Sequence, residues 1–70
     1  MKAICATVSG RVVQCVVNEG DAVKAGDEVV KIESMKMEIP VESETSGHIA
    51  KWLVKEGDEV QEGQALVELS

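Results

Sequence analysis

The chain has 70 residues, and its 13 Asp and Glu against 7 Lys and Arg give a formal net charge of -6. A domain of this size buries only about 60% of the surface its unfolded chain exposes, and the acidic balance lacks the basic stripe that nucleic-acid phosphates require. The apolar share is 44%, with one Trp and neither Phe nor Tyr; it rests mainly on Val and Ile, which suit strands and speak against a helix bundle.

The first residues, Met1-Lys2-Ala3-Ile4-Cys5, lack the longer apolar stretch of a secretory signal. No later run approaches the roughly 18 apolar residues needed to cross a bilayer, so the chain reads as cytoplasmic, with no membrane insertion. Arg11 to Val17 reads as a strand, opened by Ser9-Gly10. Strict alternation fails along it, and a kink or bulge would restore an inward-facing set. Glu19 to Gly26 follows, a Glu-Gly-Asp-x-Val-x-x-Gly turn in which glycine permits positive φ and Asp can bond nearby backbone. The Val of this turn is expected to pin it to the core.

Glu28 to Ser34 and Met37 to Glu42 flank Met35 and Lys36, the pattern of an antiparallel hairpin with a tight turn. No Gly or Asn stands there, so the commonest turn open to ordinary side chains, type I, is expected. Pro40 cannot donate a ladder bond and suits an edge strand. Beyond the hairpin the pattern repeats. Ser9, Gly10, Val17, Glu19, Gly20, Asp21, Val23, Gly26 and Val30 recur 37 residues later as Ser46, Gly47, Val54, Glu56, Gly57, Asp58, Val60, Gly63 and Val67. Thus His48 to Val54 is a second long strand and Glu56 to Gly63 a second turn. Such self-similarity fixes architecture before any motif does. Four strands per copy predict an all-β fold, a flattened barrel or sandwich of two four-stranded antiparallel sheets with internal two-fold pseudosymmetry. Residues 1–70 are expected to form a single domain.

The turns lack both phosphate-binding fingerprints, Gly-x-x-x-x-Gly-Lys-Ser/Thr and Gly-x-Gly-x-x-Gly, and carry acids at Asp21, Asp27 and Asp58. Cys5 and Cys15 have no metal-ligand spacing, so no metal site is expected. Trp52 stands where the first copy has Cys15, which suggests a packed, inert thiol rather than a redox centre; a disulfide between the two is left open. His48 falls opposite Arg11 in the repeat and reads as a solvated residue. Glu33 and Glu38 read as a solvated face of the hairpin rather than an acid/base couple. No catalytic residue is expected.

What remains is Lys36. It lies at the junction of the two copies, and the chain's only methionines besides Met1, Met35 and Met37, flank it. Methionine is a soft, adaptable contact for a partner; its plainer use here would be to cap the open end of the barrel. Glu33-Ser34-Met35-Lys36-Met37 closely resembles the Glu-Ala-Met-Lys-Met signature of biotinyl carrier domains, and the Gly-Asp-x-Val-x-x-Gly segments on either side resemble those of the biotinyl/lipoyl attachment family. The resemblance covers essentially the whole chain, with Ser34 in place of the usual Ala and no thumb insertion in the first turn. It implies covalent biotin on Lys36, with Met35 and Met37 as flanking recognition residues.

The family resemblance further implies a non-catalytic carrier that shuttles carboxyl groups. Its partners would be a biotin protein ligase, a biotin carboxylase and a carboxyltransferase or decarboxylase subunit, with the carrier itself a monomeric domain, either free-standing or part of a larger subunit. A ligase is needed because a solvated lysine is almost wholly protonated at neutral pH and acylates poorly unaided. The alternative cofactor is lipoate, in a 2-oxoacid dehydrogenase or glycine-cleavage assembly; the alternative of another class is a non-covalent β-barrel interaction module. Lipoyl domains usually carry Asp-Lys-Ala at the hairpin, so the paired methionines favour biotin.

Overall fold

In the computed structural model, which describes residues 2–70, eight strands follow one another: β1 (Lys2–Cys5), β2 (Gly10–Cys15), β3 (Ala22–Val23), β4 (Glu28–Ser34), β5 (Met37–Glu42), β6 (Gly47–Trp52), β7 (Glu59–Val60) and β8 (Ala65–Leu69). They form two four-stranded sheets, ordered β1-β8-β6-β3 and β5-β4-β2-β7. Advancing every strand of the first sheet by four positions in the chain produces the second, so the sequence repeat is a structural two-fold that exchanges the sheets. All pairings are antiparallel.

The core lies between the two sheets. Val12, Val29, Val30, Ile32 and Val41 come from one side, and Ile4, Ile49, Leu66, Val67 and Leu69 from the other, all buried. Full burial of such a side chain contributes about 1.5–3 kcal/mol. Adjacent residues Val29 and Val30 both point inward because the β4·β5 register shifts between Glu28 and Val30. The expected irregularity within the long strands is also present, between Val12 and Gln14 in β2·β4 and between Ile49 and Lys51 in β6·β8.

Those strands end earlier than the sequence pattern suggested, at Cys15 and Trp52 rather than Val17 and Val54. The reason lies in the turns. Glu56 Oε2 accepts the Cys15 N–H at 3.0 Å, and Glu19 Oε2 accepts the Trp52 N–H at 3.1 Å. Each copy's Glu-Gly-Asp turn therefore ties off the long strand of the other copy. The glycine that follows each Glu strengthens the exchange: Gly57 N–H donates to Val12 O and Gly20 N–H to Ile49 O, both at 2.7 Å. Within each turn the Asp accepts locally, Asp21 Oδ2 from Asn18 N–H at 2.8 Å and Asp58 Oδ2 from Lys55 N–H at 2.9 Å. Val23 and Val60 anchor the turns in the core as expected. Among the described residues no helix is long and apolar enough to cross a membrane.

Candidate functional site

β4 and β5 pair from Glu28 opposite Glu42 to Ser34 opposite Met37, which leaves Met35 and Lys36 as a two-residue loop. Their φ angles are 53° and 65°. Positive φ at both central residues is the signature of a type I′ turn, not the type I turn expected from the side chains. Strand geometry overrides local preference here: the primed turn matches the right-handed twist of the flanking strands, whereas type I would splay them. Holding a residue other than glycine in this region costs about 1–2 kcal/mol, so the tip is strained by choice of residue.

The strained tip projects fully. Met35 is 91% exposed and Met37 61%, so neither caps the barrel, and Lys36 is exposed between them. Below the tip the stem is firm. Ile32 is fully buried, and β2 approaches β4 so closely that a Cβ on Gly10 would overlap the Glu33 carbonyl oxygen and lie 2.8 Å from Ile32 Cγ2. Pro40 sits opposite Lys31 on β5, an edge strand, as its missing N–H requires.

The carboxylates Glu33 and Glu38 face each other directly across the stem, both exposed. Among the described residues neither pairs with Lys36; the ion pair formed is Lys31 with Glu28, at 3.8 Å and largely solvated, a contact worth about 0–1 kcal/mol. Lys36 is thus exposed and, among the described residues, free of an ion pair, and a firm stem fixes where it is presented.

The other candidate residues stay apart from the hairpin. His48 is exposed on β6 opposite Ala22. Both cysteines are free, so no disulfide forms. Cys15 is half-buried and packs against the core, as the exchange with Trp52 suggested, whereas Cys5 is exposed. Trp52 fills its position with a ring whose Nε1–H donates to Val17 O at 3.1 Å, a bond that a thiol at the equivalent place does not reproduce. Partial burial, followed by the nearby Glu56 and Asp58 carboxylates, pushes the Cys15 thiol pKa up and keeps it protonated. Among the described residues no group of three His, Cys, Asp or Glu side chains could hold a metal ion.

The family model described as "Biotin-requiring enzyme", the biotin/lipoyl domain, matches residues 2–69. The chain belongs to the biotin/lipoyl family. Among curated biotin/lipoyl relatives, Biotinylated protein TB7.3 of Mycobacterium tuberculosis and of Mycobacterium bovis are each 58% identical over 36 residues, 51% of this chain and 51% of theirs. The chain spans about half the length of the curated relatives it matches.

Solved structures extend the likeness over the whole biotin/lipoyl fold. Kluyveromyces lactis urea carboxylase aligns with a TM-score of 0.92 and 36% identity, over 99% of this chain and 6% of that one. A single-chain, multi-domain long-chain acyl-CoA carboxylase aligns at 0.86 and 32%, over 94% and 7%. The lipoyl domain of the 2-oxoglutarate dehydrogenase complex from Azotobacter vinelandii aligns at 0.74 and 32%, over 97% and 96%. Two four-stranded antiparallel sheets are thus what the family resemblance implied.

Proposed function

We propose that residues 1–70 are a single biotin carboxyl carrier domain in which Lys36 is covalently biotinylated. The observation that carries this reading is the placement of Lys36 between two exposed methionines, at the tip of a strained two-residue turn on a rigid stem. Bound biotin supplies a ureido nitrogen that accepts and releases a carboxyl group. The chain's own residues hold the arm: Lys36 provides the amide nitrogen, β4 and β5 fix its origin, and Met35 and Met37 give partners an apolar grip.

The domain performs neither carboxylation nor transfer itself; those steps belong to a biotin carboxylase and a carboxyltransferase or decarboxylase subunit. Attachment belongs to a biotin protein ligase. The names of the similar proteins support this set of partners, two of them being carboxylases and one a biotinylated protein. The free thiols Cys5 and Cys15 suit work in the reducing cytoplasm.

A second reading has one observation in its favour, the likeness to a lipoyl domain over nearly its full length. In that case Lys36 would carry lipoate instead. The two are separated by intact mass after incubation with biotin protein ligase, biotin, ATP and magnesium, and in parallel with lipoate and its ligase. The biotin reading expects one biotinyl group on the unsubstituted chain and none on Lys36→Ala. Lipoate uptake without biotin uptake would replace it with the lipoyl reading.

A further inference from the structure

One surface beside the hairpin is not demanded by the fold, although one of its residues, Glu33, also opens the Glu-Ser-Met-Lys-Met segment. Arg11 on β2 lies in register with Glu33 on β4 to one side and with Glu59 on β7 to the other. Glu33 in turn faces Glu38 on β5. A charged row therefore crosses the outer face of the whole sheet at the hairpin end, and all four residues are exposed. Although carboxylates flank it on both sides, Arg11 enters no ion pair within 4 Å among the described residues. Ser9, Gly10, Val60 and Gln61 complete a shallow groove around it.

The internal two-fold provides a control. In the other sheet the counterparts of Arg11, Glu33 and Glu59 are His48, Ser70 and Ala22. Ala22 pairs with His48, and Ser70 N–H donates to His48 O at 3.0 Å. The same backbone row is built there without a carboxylate or guanidinium side chain. The charges on the hairpin side are additions to the scaffold, not part of it.

Position and chemistry identify what such a row can hold. The groove lies about two residue steps down the stem and one strand across from the tip, roughly 10 Å from Lys36 at about 3.4 Å per step and 4.8 Å per strand. A biotinylated lysine interposes about eleven bonds, one of them the amide, between its Cα and the ring, roughly 13 Å when extended at about 1.2 Å per bond. The ring thus reaches the groove without strain. Its ureido group offers two N–H donors and one carbonyl acceptor. Carboxylates beside an unpaired guanidinium offer the complementary set, with charge-assisted bonds on both sides.

Resting on the Lys36 attachment reading, we propose that this groove is a docking site for the chain's own biotin. The Arg11 guanidinium donates to the ureido oxygen, and Glu33 and Glu59 accept from the ring N–H groups. Docking distinguishes the two states of the cargo. A ring that carries a carboxylate has lost one N–H donor, so one carboxylate of the groove is left without its partner and faces an anion instead. The empty ring rests on the domain, and the loaded ring is free for a partner.

The test uses the isotopically labelled chain in its unmodified and biotinylated forms, with intact mass confirming the modification. In the biotinylated chain, nuclear Overhauser effects should join the bridgehead protons of the ring to the Arg11 side chain, and the amides of Ser9 to Arg11 and Glu59 to Gln61 should shift. In Arg11→Ala, whose own spectrum reports its folding, those effects should vanish while shifts at Met35 to Met37 persist. Glu59→Gln, which keeps shape but removes charge, should weaken them. A biotinylated chain with no ring contact to Arg11, or contacts that survive Arg11→Ala, would overturn the docking site and leave attachment intact. A mass without biotin on Lys36 would instead overturn the attachment reading.

Discussion

Two kinds of turn in this molecule need positive φ, and they meet the need differently. In the repeated Glu-Gly-Asp turns the residues are Gly20 and Gly57, with φ of 93° and 95°. A Cβ added at either would touch nothing within 4 Å, so glycine is there for conformation alone. At the hairpin the same half of conformational space is occupied by Met35 and Lys36. Where only the fold is served, the sequence takes the unstrained residue. At the hairpin, where we propose that partners are met, it keeps the side chains and accepts the strain, the pattern expected of functional sites.

The largest expected effect separates function from fold at the strained turn. Lys36→Arg keeps charge and length but cannot form the amide, so biotin incorporation should fall to nothing while thermal unfolding shifts by no more than about 0.5 kcal/mol. A non-covalent interaction module would tolerate this change; a pull-down of partners by the variant distinguishes the two. At the unstrained turn the pattern inverts. Gly57→Ala should destabilise the domain by about 1–2 kcal/mol through φ alone, measured by urea unfolding, with biotin incorporation at saturating ligase unchanged. Loss of incorporation in folded Gly57→Ala would mean that the turns also serve recognition.

Met35→Asn brings the two turns together. Asn tolerates the left-handed region better than Met does, so this variant should gain up to about 1 kcal/mol while its rate of biotinylation drops, because one exposed methionine is gone. A variant both more stable and equally fast would show that Met35 is not a recognition residue.

How much of this could be read from the sequence depended on distance along the chain. The repeat, spaced at 37 residues, specified the sheets and their two-fold, and β4 and β5 have the bounds that their flanking signals gave. The turn between them departs from the type I expected of its side chains because twist belongs to the paired strands, not to Met35 or Lys36. The charged row of Arg11, Glu33, Glu38 and Glu59 was invisible because it exists only once three strand registers are known. The packed position of Cys15 was legible because Trp52 stands at its equivalent, and both lie half-buried against the core.

The smallest expected effect concerns that thiol. Since folding raises the Cys15 pKa, the unfolded chain releases its proton first as pH rises, the folded chain binds more protons there, and stability must fall across the alkaline range. Cys15→Ala should flatten this alkaline slope relative to the unsubstituted chain in unfolding curves from pH 7 to about pH 10. Alkylation at neutral pH should label exposed Cys5 ahead of Cys15.

The most direct measurement is peptide mapping by tandem mass spectrometry of the ligase-treated chain. The account expects a single biotinyl group on Lys36, with Lys2, Lys24, Lys31, Lys51 and Lys55 unmodified and the net charge moving from -6 by one unit to -7. Biotin on any other lysine, or on none in a chain shown to be folded, would contradict it.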